Sequence, residues 1–121
     1  MGSRAVITTK ENFLNKGIGI YVHYKGDPWS VQNWLDICKN KCYRKPEDDC
    51  YGWAYLCREI ANYFGDGLSV GIDTVNHLDI DNWGYGTYFI EDWKIVGGMY
   101  NKEEEMTKFF KQKGEEKGES V

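Results

Sequence analysis

Polar and aromatic side chains recur one helical turn apart in the stretch from residue 43 to residue 67. Tyr51, Tyr55, Arg58 and Asn62 follow one another at intervals of three or four positions, so a helix would place them in one row. An aromatic ring can stack on a base, a guanidinium can pair with phosphate, and an amide can meet ribose hydroxyls or base edges. We therefore expect this row to be able to bind a nucleotide.

Similar binding groups occur in three other parts of the chain. The connection before the row holds Lys39, Lys41, Arg44 and Lys45, the densest basic patch. Favourable charge at a helix C-terminus and a solvated loop are the simpler explanation, and anion binding is the alternative. Residues 76–85 form a loop rich in turn formers and aromatics, and loops often carry function. The candidate ligand-binding residues are Arg58, Asn62, Tyr55, Arg44, Asn82, Trp83, Tyr88, Lys108 and Lys111.

Patterns typical of catalysis or metal binding are weak by comparison. His23 and His77 are the only histidines, and neither lies in a recognisable motif. The four cysteines lack the C-x-x-C spacing of a zinc knuckle, and no Walker or Rossmann glycine motif occurs. We expect no catalytic residue, no metal and no cofactor. The chemistry that remains is binding without turnover.

Composition limits the number of domains and the class of partner. Of the 121 residues, 1–113 are expected to form a single α+β ligand-binding domain, and 114–121, which are nearly all polar, a disordered tail. The net charge of −4 argues against a DNA-binding face. Five Trp and nine Tyr exceed what a small core needs, so some should lie at an interface or in a pocket. The absence of a long apolar run predicts a cytosolic protein without a membrane span or signal peptide.

The helix expected within residues 43–67 has a start, an apolar face and an end. Pro46 suits a first helical position, and the acidic residues that follow it suit a helix N-terminus. Gly65 supplies the end. Its apolar stripe, which we expect to be buried, comprises Cys50, Trp53, Ala54, Cys57, Ile60, Ala61 and Phe64.

Two further helices follow from capping residues and apolar spacing. Asp27 or Ser30 should cap a helix that ends near Asn40. A charged helix is expected at residues 102–113. The buried residues predicted for the first are Val31, Trp34, Leu35 and Cys38, and those for the second are Met106, Phe109 and Phe110.

Alternating apolar residues predict the strands. They are expected at residues 5–9, 17–24, 68–75, 86–90 and 93–96. A looped connection should join the first two into a hairpin, and Glu91 and Asp92 should form a tight turn between the last two. The expected fold is α+β, with a mainly antiparallel sheet of about five strands packed with two central helices and a C-terminal helix.

Four segments resemble a group of small proteins from phages and prophages of Firmicutes. They are SRAVITT at residues 3–9, YRKPEDDCYGWA at 43–54, SVGIDT at 69–74 and DWKIVG at 92–97. Within that group the chain most resembles the first family of Thoeris anti-defence proteins. The resemblance spans most of the chain except the tail.

The resemblance implies a function in the cytoplasm of a bacterial host. Members of that family sequester cyclic ADP-ribose isomers, such as glycocyclic ADP-ribose, that TIR-domain defence enzymes make. Some members are also associated with cyclic oligonucleotides. This chain would then be a homo-oligomer, a dimer or larger, that captures a signalling nucleotide without cleaving it and so blocks Thoeris signalling. The alternatives are a protein-interaction module that inhibits a host defence protein directly, and a small hydrolase that uses His23 or His77.

Overall fold

A five-stranded sheet lies at the centre of the protein, whose computed structural model describes residues 3–65, 70–80 and 82–119, with side chains up to residue 113. Its order is β3-β2-β1-β4-β5. The strands are β1 (Ala5–Thr8), β2 (Ile18–Val22), β3 (Val70–Thr74), β4 (Gly86–Glu91) and β5 (Lys94–Tyr100). Each corresponds to a predicted strand, although residues 68 and 69 of the predicted third strand lie outside the described residues.

Three of the strand pairs are antiparallel and one is parallel, so the predicted mainly antiparallel sheet is confirmed. β1 pairs with β2 as the expected hairpin, while the parallel pair joins β1 to β4 in the middle of the sheet. β5 runs to Tyr100 and is longer than predicted, because Gly97 and Gly98 continue the pairing opposite Phe89 and Tyr88. These two glycines, which suggested a strand end in the sequence, therefore belong to the strand.

The turn between β4 and β5 is centred one residue later than predicted. Asp92 and Trp93 occupy it, with φ angles of 52° and 58°. A turn with two left-handed central residues matches the right-handed twist of the strands that it joins. Trp93 is buried, and its indole N–H donates to the carbonyl of Tyr43 at 3.2 Å, so contact with a distant segment fixes the turn.

Four α-helices accompany the sheet in the described part of the chain: α1 (Lys10–Asn15), α2 (Pro28–Asn40), α3 (Cys50–Phe64) and α4 (Glu103–Glu119). The prediction of a loop between β1 and β2 is wrong, because this connection forms α1. Thr9 caps it by accepting a hydrogen bond from the backbone N–H of Asn12 at 3.1 Å, and Lys16 ends it with a left-handed φ of 59°.

Helix α2 confirms its prediction closely. Asp27 caps it by accepting from the backbone N–H of Ser30 at 2.9 Å, and Pro28 occupies the first turn. The helix ends at Asn40. All the residues of the predicted stripe, namely Val31, Trp34, Leu35 and Cys38, are buried.

Helix α3 begins later than predicted and buries a different set of side chains. Asp49 caps it by accepting from the N–H of Tyr51, while the N–H groups of Asp48 and Asp49 bind the carbonyl of Lys45 and close a turn that contains Pro46. The predicted end at Gly65 is confirmed. The predicted apolar stripe is partly wrong, because Cys50 and Ala54 are exposed. The buried face consists of Gly52, Trp53, Leu56, Glu59 and Ile60.

Helix α4 packs its apolar side chains against the domain as predicted. Met106 and Phe109 are buried, and the ring of Phe109 meets that of Trp29 edge to face at 5.8 Å. Phe110 is only partly covered. The helix continues past the predicted end at Lys113 to Glu119, and the assignment of residues 114–121 as a disordered tail stays a prediction. Among the described helices, none has the length and apolar character needed to cross a membrane.

The two faces of the sheet are covered by different parts of the chain. Helices α2 and α3 supply the main core on the face that carries Ile20, Val22 and Tyr88. The segment between β3 and β4 covers the other face: the hydroxyl of Thr87 donates to the carbonyl of Ile80 at 3.0 Å. Because this segment is tied to the sheet, it can present side chains to solvent in fixed positions.

Candidate functional site

The predicted row on α3 forms a cluster of rings and guanidinium groups with the loop before the helix. We call Tyr43, Arg44, Tyr51, Tyr55 and Arg58 the α3 cluster. Tyr43 and Tyr55 are stacked with ring centres 4.2 Å apart and planes inclined by 20°. The Arg58 guanidinium lies 5.3 Å from the Tyr43 ring and donates to the Tyr43 hydroxyl, and that of Arg44 lies 4.8 Å from the Tyr51 ring. The row therefore exists, but its rings and cations already contact one another.

The basic patch around the α3 cluster is neutralised largely by carboxylates of the same protein. Lys41 pairs at 3.0 Å with Glu59, a carboxylate that is only 8% exposed and so requires a partner. Asp92 lies 3.9 Å from the Lys39 ammonium and 3.3 Å from that of Lys45. The hydrogen bond from Lys45 holds the pKa of Asp92 below its ordinary value.

These pairs favour the structural explanation of the patch. Arg44 is paired at 3.2 Å with Asp49, the residue that caps α3, so phosphate would have to displace a carboxylate. Asn62 lies farther along α3 and is exposed. The α3 cluster is therefore a poor candidate for an anion-binding site.

Two of the predicted ligand-binding residues lie inside the protein. Asn82 is buried; its amide NH₂ donates to the carbonyls of Asp79 and Gly86, and its oxygen accepts from the N–H groups of Gly84 and Gly86. Tyr88 is buried beneath α2, and its hydroxyl donates to the carbonyl of Gly26 at 2.5 Å. Burial also raises the pKa of Tyr88. As placed, neither side chain has surface with which to contact a ligand, and both stabilise the fold.

Trp83, the residue after buried Asn82, is 85% exposed. Its backbone adopts a left-handed φ of 56°, which is rare for a bulky side chain. The indole borders a cleft of about 310 Å³ that is lined by Trp83, Gly84, Asn101 and Lys102, and we call these four residues the Trp83 cleft. An exposed indole beside polar groups is suited to stacking on a planar ligand.

The backbone around Trp83 is fixed from both sides. The N–H of Tyr85 donates to the carbonyl of Arg4 at 2.8 Å, and the N–H of Asn101 donates to the carbonyl of Tyr85 at 3.3 Å. Gly84 lies against Arg4 so closely that an added Cβ would be 2.5 Å from the Arg4 nitrogen. Only glycine fits there, and the close approach restrains the backbone next to Trp83.

Lys102 brings a cation to the Trp83 cleft at the point where β5 leads into α4. Its ammonium lies 4.4 Å from the centre of the Tyr85 ring, a cation–π distance. Burial raises the pKa of the Tyr85 hydroxyl, with the nearby Glu105 carboxylate adding to the rise. Our sequence interpretation missed Asn101 and Lys102, although an amide and a cation at a strand-to-helix junction are a usable signal.

The chain matches no protein-family model, and no curated protein or solved structure is significantly similar to it. The resemblance to the Thoeris anti-defence proteins therefore stays a prediction. The geometry of the described residues bears on where a ligand could bind.

The other predicted lysines lie away from the cleft lining. Lys108 and Lys111 are exposed on α4 and do not line the Trp83 cleft. A neighbouring cleft of about 570 Å³ shares Asn101 and Lys102 but is otherwise lined by Tyr100 and by Glu103, Glu104 and Glu105. These carboxylates disfavour phosphate at that end, so an anionic group would have to lie on the Lys102 side.

The histidines do not form the hydrogen-bond relay of a hydrolase. Thr74 Oγ1 and Asp73 Oδ1 both approach the same ring nitrogen of His77, Nδ1, at 3.0 Å and 3.4 Å. A relay needs the nucleophile and the carboxylate on opposite nitrogens of the ring. His23 Nδ1 lies 2.9 Å from the Tyr21 hydroxyl.

The thiols and acidic groups provide no metal cage within the described ranges. No group of three or more His, Cys, Asp or Glu residues converges among the described side chains of residues 3–65, 70–80 and 82–113. Burial raises the pKa of the Cys38 thiol to about 12, which makes this cysteine a poor nucleophile. Cys42 and Cys50 are exposed.

Proposed function

We propose that the protein binds and sequesters a cyclic ADP-ribose-type signalling nucleotide in the Trp83 cleft and does not cleave it. The resemblance described above supports the ligand class, and the exposed indole and polar lining of the Trp83 cleft support the location. In a bacterial host with a Thoeris defence system, such capture in the cytoplasm would deprive the downstream effector of its messenger. The phage or prophage that encodes the protein would then escape that defence.

The exposed indole of Trp83, carried on a restrained backbone, is the observation that carries the proposal. Exposing a large aromatic side chain forfeits the free energy of burying it, and the left-handed backbone adds strain. A stacked adenine would cover the ring, and base–aromatic stacking contributes about 1–3 kcal/mol. Because the loop is tied to Arg4 and Asn82, little backbone conformational entropy would be lost when the base binds.

The polar groups of the cleft suit the rest of such a ligand. The Asn101 amide can meet ribose hydroxyls, and the Lys102 ammonium can approach a diphosphate oxygen. One lysine leaves much of a diphosphate in solvent, so the stacked base must supply a large part of the affinity. Two copies of the cleft brought together in a homo-oligomer would supply two ammonium groups, which is consistent with the assembly that the resemblance implies.

Binding without turnover is what the resemblance implies, and the described lining of the Trp83 cleft consists of an indole, a glycine, an amide and an ammonium group. Sequestration then depends on the number of sites and on the dissociation constant, since messenger is removed only up to the concentration of sites. We propose accordingly that the protein is not an enzyme. Ligand that has been incubated with it and released by heating is expected to be recovered unchanged, whereas a linear or hydrolysed product would contradict this proposal.

Replacing the indole tests the site directly. Titration with cyclic ADP-ribose isomers, followed by calorimetry, is expected to show that Trp83→Ala weakens binding about tenfold or more, because stacking is lost. Trp83→Phe keeps a ring and should retain part of the affinity. Both variants should unfold at nearly the same denaturant concentration as the parent protein, since the indole packs against little else.

Arg58→Ala is the matched control for the location of the site. Its exposed guanidinium belongs to the α3 cluster, so its removal is expected to leave affinity unchanged. If Arg58→Ala weakens binding and Trp83→Ala does not, the ligand binds on α3 and the assignment of the site to the Trp83 cleft is wrong. If no cyclic ADP-ribose isomer or cyclic oligonucleotide binds at all, the sequestration proposal fails.

The α3 cluster favours a second candidate function, direct inhibition of a host defence protein. Tyr and Arg are enriched among residues that dominate protein–protein binding, and Tyr51 is 54% exposed beside Arg44. A stoichiometric complex with a purified defence protein that is lost in Tyr51→Ala and kept in Trp83→Ala would support this function. The reverse pattern would contradict it.

A further inference from the structure

Strand β5 is an edge of the sheet with a partly unpaired side. It pairs with β4, and no other described strand lies against it. Gln32 of α2 satisfies the beginning of this edge: its side-chain oxygen accepts from the N–H of Ile95 at 3.0 Å, and its NH₂ donates to the carbonyl of Trp93 at 3.0 Å. From Val96 onward, no described side chain takes over this role. Exposed edge strands are sites where another extended chain can add.

Gly97 leaves open space in the middle of this edge. A Cβ built there would meet only Phe89 Cδ2, at 3.9 Å, which is ordinary van der Waals contact. Gly98, by contrast, has a φ of 150°, and its Cβ would be 2.1 Å from the carbonyl oxygen of Thr87. The fold therefore requires glycine at position 98 and not at position 97. The register of β5 against β4 shifts beside Gly97, where Val96 has no partner between the pairs Phe89–Gly97 and Ile90–Ile95. A strand glycine often marks such a bulge or a site where another backbone approaches closely, and the open space at Gly97 allows the second.

The open space belongs to a cleft of about 420 Å³ on the sheet face beside β5. Its floor is apolar, formed by Phe89 and Val96, and Val96 is exposed. Its charged lining groups are Lys10, Glu11, Glu47 and Glu91, so three carboxylates face one ammonium. Glu47 already accepts a hydrogen bond from the N–H of Asp92 at 2.7 Å, which leaves the carboxylates of Glu11 and Glu91 to receive a cation.

We propose that the β5 edge docks an extended, lysine- or arginine-bearing segment of another protein. The segment adds beside residues 96–100 as a further strand, and one basic side chain passes over Gly97 into the cleft. Its aliphatic stem lies on Phe89 and Val96, and its charged end meets Glu11 and Glu91. Long cationic side chains bind in this manner because their methylene groups pack on apolar surface while their charged ends contact polar groups. The inference is independent of the Trp83 cleft.

A blocked octapeptide of alternating lysine and valine is the probe. Fluorescence polarisation is expected to show binding that weakens with added salt, because the carboxylates are solvent-exposed. The same peptide with glutamate in place of lysine should not bind. In amide hydrogen exchange, the lysine peptide should slow exchange within residues 96–100 and leave β3 unchanged. Binding without this protection would overturn the proposal.

Gly97→Val closes the cleft and should lower affinity for the lysine peptide about tenfold while leaving the fold intact, since a β-branched side chain suits a strand. Gly71→Val is the matched control. Gly71 also lies in an edge strand, β3, and its Cβ would meet nothing within 4 Å. The Gly71→Val variant should bind the peptide with the affinity of the parent protein.

A second variant keeps the test decisive if Gly97→Val fails to fold. Glu91→Gln changes no packing and should weaken the lysine peptide while reducing the salt dependence of binding. Parent-like affinity of both Gly97→Val and Glu91→Gln would overturn the proposal. Neither substitution should alter nucleotide titrations.

Discussion

Asn82 and Trp83 are neighbours with opposite roles. The amide of Asn82 makes four hydrogen bonds inside its loop, two as donor and two as acceptor, whereas the indole of Trp83 points into solvent. Both residue types are plausible ligand contacts, so sequence alone gives them equal weight. The structure distinguishes them because the hydrogen-bonding groups of Asn82 bind the backbone of the loop, whereas the ring of Trp83 stays exposed.

Removing the Asn82 side chain should destabilise the whole protein. Asn82→Ala leaves two buried N–H groups and two carbonyls without their partner, and the free energy of unfolding should fall by about 2 kcal/mol or more. Denaturant unfolding followed by circular dichroism measures the change. Asn62→Ala, on the exposed side of α3, is the matched control and should change it by less than about 0.5 kcal/mol. Equal effects of the two variants would contradict the role assigned to Asn82.

The helices differ in how much of each is set by local residues. In α2, the cap, the proline in the first turn and the apolar spacing all occur within the segment itself, and the prediction was confirmed. In α3, an acidic run offers several possible caps, and the turn around Pro46 moves the start to Asp49. Its buried face shifts with it, so that Leu56 and Glu59 replace Cys50 and Ala54.

The cap of α2 should be measurable as a local contribution to stability. Asp27→Ala removes the acceptor for the N–H and the hydroxyl of Ser30 and should lower the free energy of unfolding by about 1 kcal/mol. Asp27→Asn, which keeps an acceptor oxygen, should lose much less. A loss of equal size in both variants, measured by denaturant unfolding, would mean that the charge of Asp27 matters and its capping bond does not.

Across the whole molecule, ion pairs tie loops together that are distant in sequence. Asp92, in the β4–β5 turn, faces Lys39 in the last turn of α2 and Lys45 in the connection between α2 and α3, and its N–H donates to Glu47. A hydrogen bond from Lys45 holds the pKa of Asp92 below its ordinary value. A hydrogen bond from the N–H of Tyr51 lowers the pKa of Asp49 in the same way. Stability should therefore depend on these carboxylates being ionised.

Acid should weaken the fold through these groups. A carboxyl whose pKa is lower in the folded protein contributes stability above its unfolded pKa of about 4 and loses it as pH falls through the folded value. Unfolding midpoints measured from about pH 5 down to about pH 3 should drop, and Asp92→Asn should reduce that drop. Added salt should reduce it as well, because the pairs are exposed. An unchanged pH dependence in Asp92→Asn would contradict this account.

The sequence by itself determined what its local patterns encode. Alternation located the five strands, capping and spacing fixed α2, and the apolar side of α4 was evident from Met106 and Phe109. The fold class follows from these elements, since each must bury an apolar face against another. The tight turn was predicted within one residue, because Asp92 is a turn-forming residue between two apolar segments.

Only the tertiary structure decided which candidate residues come together. The parallel pairing of β1 with β4 brings Arg4 beside Gly84 and fixes Trp83, and the path of β5 into α4 places Asn101 and Lys102 at the same cleft. It also buried Asn82 and Tyr88. These outcomes depend on contacts between residues far apart in the chain, which the spacing of residues within a segment does not encode.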